Sequence, residues 1–510
     1  MPILDFHVHP ALKAQMCDPA ALPGPWDLVN IQFQNPTLLT RILKCQGING
    51  VIDSQAAITQ LLDGGVNIIG LALHPPESAM MRDRLINLLA EQEQTSYIDL
   101  NRIRDIASGD IYFQMLNEEL ANLLAHENNH GRRLKIMSAF SQYKPSDGNT
   151  LHAFLILEGA HAFMGVQQGK REDEKWQDFW NNFENFTDNN RLLSINMAHL
   201  QQNEFCNHAF GIQIFKPEPF YPMGKGISPH GFRLLQRMDQ KGILLDVKHM
   251  SLLARKQLKD YHTGNRPYIC THAGLTGIHS SDRGKYFMEK DELDGGYLRI
   301  KYYKPAGYLA GTAFNCSSIN LYDDDVINII FSGGLIGLSM DQRILGLPDD
   351  IFLGDDYVDD IFDMEVVSMQ EKNFFTGVEN SSLTESDYLD VYDILKTDRQ
   401  NYLRYHARHF MNNVFHFFAL AGKNNINPAL VAESICIGSD FDGMINPIDC
   451  CRNVTKLEDF KKYLLRNFME WEREAAYALP VRISSFIRPE DLLENIFYRN
   501  ALRFLEKHLR

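Results

Sequence analysis

Eight short apolar runs, most of them closing on a polar or titratable side chain, constrain this chain more than any other feature. They are Ile3–His9, Val66–His74, Ala153–Glu158, Arg191–His199, Gly242–His249, Tyr268–His272, Gly334–Met340 and Ile435–Asp440. Uninterrupted apolar runs of this length suit strands buried on both faces, the condition of a parallel sheet covered by helices. Helical spacing recurs between them. Gly231–Lys241 sets Phe232, Leu235 and Met238 on one face, Asp323–Phe331 does so with Val326, Ile329 and Ile330, and His409–Ala421 is an aromatic-rich helix. Eight strand–helix units point to an α/β fold of the (β/α)8 TIM-barrel type. A doubly wound open sheet is the alternative, but it gathers its site from two or three strands at one switch point. Here titratable residues close many strands.

The length, 510 residues, exceeds the roughly 250 of an unadorned barrel. The excess falls at about 75–149, 284–319 and 342–400. The first stretch carries helical patterns at Ala79–Gln92 and Tyr112–His126 and a polar loop at Lys144–Thr150. The last is acidic, from Asp349 to Asp360 and from Glu385 to Asp393, and reads as a solvated face. Each stretch is short for a core of its own, so residues 1–510 are expected to form one barrel enlarged by helical and loop insertions on its active-site face.

Charge narrows the partners. Asp and Glu number 65 against 50 Lys and Arg, a net −15, which repels phosphate backbones and anionic headgroups. No nucleic-acid or membrane partner is expected, while a homo-oligomer stays open. No apolar stretch approaches the length of a transmembrane helix. The opening Met1–Pro10 reads as a strand and not as a leader, and Phe504–Arg510 reads as a charged amphipathic helix. The eight cysteines include no CxxC pair and read as reduced thiols, so a cytoplasmic location is expected.

The strand ends carry the chemistry. His7 and His9, at i and i+2, point the same way, and two imidazoles on one side of a strand can ligate one metal ion. Glu158 closes an apolar run, where an unpaired carboxylate is expensive to bury; a cation offsets that cost, and a carboxylate can bridge two. His199, His249, His272 and Asp440 close four further runs. Six of eight strands thus end in a potential metal ligand or proton carrier, which points to a metal site. His74, His126 and His406 stand outside this pattern, and His161 and His279 read as loop residues that line the pocket at most. Asp246 and Asp442 read as structural.

These residues resemble the amidohydrolase superfamily and, within it, the membrane (renal) dipeptidase family of zinc peptidases. The resemblance rests on His7-Val8-His9, Leu157-Glu158-Gly159, Asn196-Met197-Ala198-His199, Asp246-Val247-Lys248-His249-Met250-Ser251, Thr271-His272, Gly333–Gly337, Ile437–Gly443 and the closing Asn500–Leu505. It implies a binuclear zinc site, or another divalent pair. His7 and position 9 would hold one ion, His249 and His272 the other, and Glu158 would bridge them. Asp440 is placed both among the metal ligands and as the proton carrier. His199 matches the histidine that contacts the substrate and polarises the tetrahedral intermediate, and Arg283 the arginine that binds the substrate carboxylate. Three departures stand out. His9 replaces the family's Asp; Arg283 is followed by Gly284, while Asn320-Leu321 comes after an insertion; and the long insertions have no place in the basic pattern.

The activity implied is hydrolysis of dipeptides or similar small amides by a metal-activated water, with His199 stabilising the oxyanion and Asp440 acting as general base and then acid. The alternatives are the same site acting on an N-acyl amino acid, cyclic amide or lactone, and, more remotely, a non-catalytic barrel.

Overall fold

The computed structural model describes residues 2–510 apart from 31–50, 52, 84–85, 88–89, 92–97, 212–217, 260, 262–265, 348–361, 376–382, 384–386 and 388–398. Cys45, most of the acidic stretch before residue 399, and parts of the Ala79–Gln92 helical pattern lie outside the described residues. Cys206, Cys270, Cys316, Cys436, Cys450 and Cys451 are free thiols. No helix among the described residues is long and apolar enough to cross a membrane.

All eight apolar runs form strands. In chain order the strands are β1 (Ile3–Val8), β2 (Val66–Leu73), β3 (Asn128–Asn129), β4 (Arg132–Ile136), β5 (Thr150–Leu157), β6 (Leu192–Asn196), β7 (Leu244–Asp246), β8 (Cys270–Ala273), β9 (Phe287–Leu293), β10 (Tyr297–Tyr303), β11 (Ile336–Leu338), β12 (Phe362–Ser368) and β13 (Ile435–Ile437). The fold is mixed α/β around a large parallel sheet. β1 pairs with β2, β2 with β5, β5 with β6 and β6 with β7, each parallel. On its other side β1 pairs with β13, β13 with β11 and β11 with β8, again parallel. The ends of this series meet through one parallel bridge, Asp246 to Ile269. It is held by Val247 N–H to Ile269 O at 2.9 Å and Ile269 N–H to Leu245 O at 3.1 Å.

Alternation along β5 shows what each face does. Leu151, Ala153, Leu155 and Leu157 join the core that includes Phe179 and Phe183 of helix Glu172–Asn189. Phe154 and Ile156 join Leu4, Phe6, Ile68, Ala72, Leu193, Leu244, Ile269, Leu335 and Cys436, one or two residues from each of the eight strand segments. Phe504, Leu505 and Leu509, at the C-terminal end of the chain, pack on this second cluster. Glu158 shares the parity of Phe154 and Ile156, so the same alternation aims its carboxylate at the face the eight strands have in common.

Close approach of three strands depends on two glycines. A Cβ at Gly337 would lie 1.9 Å from Thr271 O and one at Gly438 1.8 Å from the same atom. Gly438→Ala is expected to destabilise the protein by about 1–3 kcal/mol or more, the usual cost of overpacking a rigid interior. Urea unfolding checks this; an unchanged midpoint would mean that β13 can shift away from β8.

The first insertion holds the expected helix at Tyr112–Ala125, whereas the second and third differ from the expected helices and loops. β9 and β10 form a hairpin across Gly295 and Gly296, at φ 81° and 83°, and β12 pairs antiparallel with the other edge of β10. Two insertions distant in sequence therefore build one three-stranded antiparallel sheet. Its buried face (Leu298, Ile300, Tyr302, Val367) packs with Leu252, Ile278 and Tyr322. The missed signal was the period-two alternation of Tyr297–Tyr303, which buries Leu298, Ile300 and Tyr302 in turn.

Candidate metal centre

The side chains at the ends of five strands converge. His7 and His9 bring their Nε2 atoms within 2.9 Å of each other. Glu158, 2% exposed, divides its oxygens between two histidine pairs. Oε1 lies 3.0 Å from His249 Nε2 and 3.5 Å from His272 Nε2. Oε2 lies 3.2 Å from His9 Nε2 and 3.8 Å from His7 Nε2. Asp440 completes the ring, with Oδ1 3.4 Å from His9 and 3.8 Å from His7, and Oδ2 3.9 Å from His272. Three overlapping sets (His7–His9–Glu158, Glu158–His249–His272 and His7–His272–Asp440) each hold their donor atoms within 4.8 Å of one another.

The backbone at two of these positions is unusual. β7 ends at Asp246 and β13 at Ile437, so His249 and Asp440 follow their strands by three residues. Both are left-handed, at φ 66° and 65°, a conformation non-glycine residues adopt at some cost and mainly where function holds it. Strand parity therefore does not apply between Asp246 and His249. Asp246 accepts the Thr271 hydroxyl proton, and Thr271 Oγ1 in turn lies 2.9 Å from His7 Nδ1 and 3.2 Å from His272 Nδ1. A hydroxyl whose proton is committed to a carboxylate can only accept. Both histidines thus donate from Nδ1 and turn Nε2 towards the cluster, the orientation a metal ligand needs.

Electrostatics agree with that arrangement. Burial, reinforced by His199, keeps the His249 imidazole neutral, and burial with His7 does the same for His272. Burial opposes charge on Glu158, but the surrounding histidines outweigh it and hold its carboxyl well below the usual range. Burial also opposes charge on His9, yet its hydrogen bonds to Asp440 and Glu158 carry its pKa up to about 10. The two carboxylates therefore demand positive charge where His9 Nε2 sits. A proton meets that demand, and so does a divalent cation. The donor set, imidazoles around a central carboxylate, fits such ions.

A second tier surrounds the cluster. His199 Nε2 lies 4.0 Å from Glu158 Oε2, and its Nδ1 is 2.9 Å from Glu77 Oε2. Glu77, 1% exposed, also accepts Leu200 N–H at 3.1 Å and Gln201 N–H at 2.8 Å. Burial opposes its charge, but His199 outweighs it and holds the Glu77 carboxyl far below its usual range; Glu77 and Glu158 reciprocally raise His199. His74, set outside the pattern by sequence reasoning, belongs with the cluster. Its Nδ1 meets the Glu158 carbonyl at 2.8 Å and its ring lies 4.3 Å from that of His199; burial lowers its pKa to about 3. His161 is buried against the Pro75 carbonyl at 2.9 Å, whereas His279 is exposed. Asp442 accepts Lys13, Gln55 N–H and Ala56 N–H, the structural role read from the sequence.

Arg283 lies apart from this convergence. Its guanidinium is 4.9 Å and 5.0 Å from the ring centres of Phe374 and Phe375 and donates to Ser280 O. Its Nε is buried with no hydrogen-bond partner, and its charge also acts on Glu365 and Tyr322. Sequence reasoning also missed Lys248, buried beside the cluster, whose Nζ donates to Ile319 O at 3.3 Å.

No family model matches the chain, and no curated protein matches it. Among solved structures, dipeptidase AC, described as a metallopeptidase, is similar at 14% identity and a TM-score of 0.48, over 100% of this chain and 99% of that one. A metallopeptidase from Rhodobacter sphaeroides, liganded with a phosphinate mimic of the dipeptide L-Ala-D-Ala, gives the same values. The probable dipeptidase PvdM from Pseudomonas aeruginosa is similar at 13% identity and a TM-score of 0.47, over 89% of each chain.

Proposed function

We propose that this chain is a metal-dependent hydrolase of the membrane dipeptidase-like branch of the amidohydrolase superfamily, acting on dipeptides or similar small amides. We read the circuit of eight parallel strands as a (β/α)8 barrel, and residues 1–510 as one unit with insertions at about 75–149, 284–319 and 342–400. The observation that carries the functional reading is the division of the Glu158 oxygens between the His7–His9 and His249–His272 pairs. Few roles other than bridging two cations account for one buried carboxylate ringed by four imidazoles.

In this reading His7 and His9 would hold one ion and His249 and His272 the other, with Glu158 and Asp440 as the carboxylates available to both. A pair of zinc ions, or another divalent pair, would supply a water acidic enough to be the nucleophile near neutral pH. The chain's own groups do the rest. Asp440, which is half-buried, takes the proton and returns it to the leaving amine. His199, kept charged by Glu77, donates from Nε2 to the oxygen on which negative charge develops. Glu77→Gln is expected to lower kcat about 10- to 100-fold, the usual size for a supporting partner. Glu77 raises the His199 pKa, so losing its charge lowers that pKa, and the activity lost on raising pH should be lost at lower pH than in the wild type. A pH–kcat/KM profile with an unmoved alkaline limb would remove His199 from the mechanism.

A second reading is favoured by Arg283, whose guanidinium meets Ser280, Phe374 and Phe375. If it does not reach substrate, the same centre serves a cyclic amide or lactone, which has no free carboxylate to bind, whereas an N-acyl amino acid keeps that carboxylate and goes with the first reading. Arg283→Ala is expected to raise KM about tenfold or more for substrates with a free carboxylate, since a hydrogen bond to a charged group is worth about 1.5–3 kcal/mol. Assay against L,L- and L,D-dipeptides, N-acyl amino acids and lactones separates the readings. Dipeptide turnover supports the first; turnover of lactones alone, with KM unchanged in Arg283→Ala, establishes the second.

A further inference from the structure

Besides His249 Nδ1, Asp5 Oδ2 and Gln15 Oε1, two buried polar atoms near the cluster lack hydrogen-bond partners: His9 Nδ1 and Glu119 Oε1. Both side chains are sealed from solvent, at 1% and 3% exposure, where an unpaired polar atom is costly. Glu119 sits on helix Tyr112–Ala125, inside the first insertion, and its other oxygen accepts His74 N–H at 3.0 Å. β1 and β2 are paired, with Val8 opposite Leu71, so His9 and His74 leave neighbouring strand ends; their ring centres are 6.1 Å apart. The backbone that fixes Glu119 is thus the neighbour of the backbone that carries His9, and the two side chains interact electrostatically. His9 is also the position at which the chain departs from the pattern it otherwise follows.

We infer that Glu119 is a positioning residue for the metal centre: when His9 Nε2 takes up an ion, the unpaired Glu119 oxygen would accept the His9 Nδ1 hydrogen, a bond not formed in the structure, and so hold His9 in place as a ligand. A ligating histidine commonly gives its other ring N–H to a carboxylate, which fixes tautomer and ring orientation. His7 and His272 obtain this from Thr271 backed by Asp246. His9 has no such support from the strands, and the inserted helix brings it. Whether ionised or protonated, the carboxyl keeps a lone pair for the bond. The inference gives the first insertion a task, making a histidine workable where the family has an aspartate, and it rests on the proposed two-ion centre.

The test is metal affinity of the full chain, stripped with chelator and titrated with Zn2+ against a competing indicator, with circular dichroism as the check of folding. Glu119→Met is expected to weaken one of the two ions about 10- to 100-fold, the usual effect of removing such a partner, and to leave the other unchanged. Glu119→Gln, which still offers a carbonyl oxygen, is expected to recover part of the loss. In a His9→Ala background Glu119→Met should cost nothing further, because its effect runs through His9. Full-strength binding of both ions in folded Glu119→Met would overturn the inference. So would equal weakening of both ions, or additive losses in the double variant, either of which marks a merely structural role. Gln15 Oε1 is also buried without a partner; loss in Gln15→Met with none in Glu119→Met would transfer the role to Gln15. A wild-type chain that binds no Zn2+ would instead refute the metal centre itself, so the two failures are distinguishable.

Discussion

Glu158→Gln is expected to remove both ions from the protein and to lower kcat/KM by at least about three orders of magnitude. The amide matches the carboxylate in size, so the surrounding packing is kept, but its chemistry is wrong at two places. One oxygen becomes an NH2 group, which cannot ligate and would face either His249 and His272 or His7 and His9. The central negative charge also disappears from a buried position, where it would offset the charge of the ions. A metal centre supplies several kcal/mol of transition-state charge stabilisation, and each 1.36 kcal/mol is tenfold in rate, which sets the expected loss. Metal analysis and steady-state kinetics on one preparation check it. Retention of both ions would leave Glu158 a neighbour of the centre and not its bridge.

Asp440→Asn is expected to keep the metal and lose turnover by about 10²- to 10⁴-fold, the range attributed to general acid–base catalysis. The substitution isolates the chemistry because the backbone at Asp440 is left-handed, a conformation asparagine tolerates as well as aspartate does. The main-chain bond from Asp440 N–H to His7 O, 3.0 Å, is unaffected. The substituted side-chain amide, however, cannot accept a proton from water. If the ions also leave, Asp440 is a ligand in its own right, as its 3.8 Å and 3.9 Å distances to His7 and His272 allow. Turnover surviving with the ions in place would move the proton-carrying role to another group.

The strands were legible because burial on both faces leaves a mark that needs no partner to interpret: a short run of apolar residues bounded by polar ones. His7, His9, Glu158 and His272 were legible for a related reason, since alternation fixes which face a side chain takes at or just beyond a strand end. His199, His249 and Asp440 were identified by residue type, although their strands end three residues earlier and a left-handed turn aims two of them. What stayed hidden is whatever depends on how separate segments meet. Glu77 lies in a Pro-Pro-Glu loop that names no partner, and only the fold sets it against His199. Thr271 alternates with His272, yet its hydroxyl serves two histidines, one through a contact 264 residues away in sequence. The antiparallel sheet joins residues 287–303 to 362–368 across the whole of β11 and its helix. Local pattern carries no information about that pairing. His74 was set aside because its strand offers no second ligand, whereas its neighbours come from β5 and β6.

The central claim is a single two-ion centre built around Glu158, and metal stoichiometry tests it most directly. After stripping, reconstitution with Zn2+ and removal of excess, elemental analysis should find two equivalents per chain in the wild type. It should find one in His249→Ala, and close to none in Glu158→Gln. A wild-type chain that holds no ion at equilibrium, or a Glu158→Gln chain that holds as much as the wild type, would contradict it.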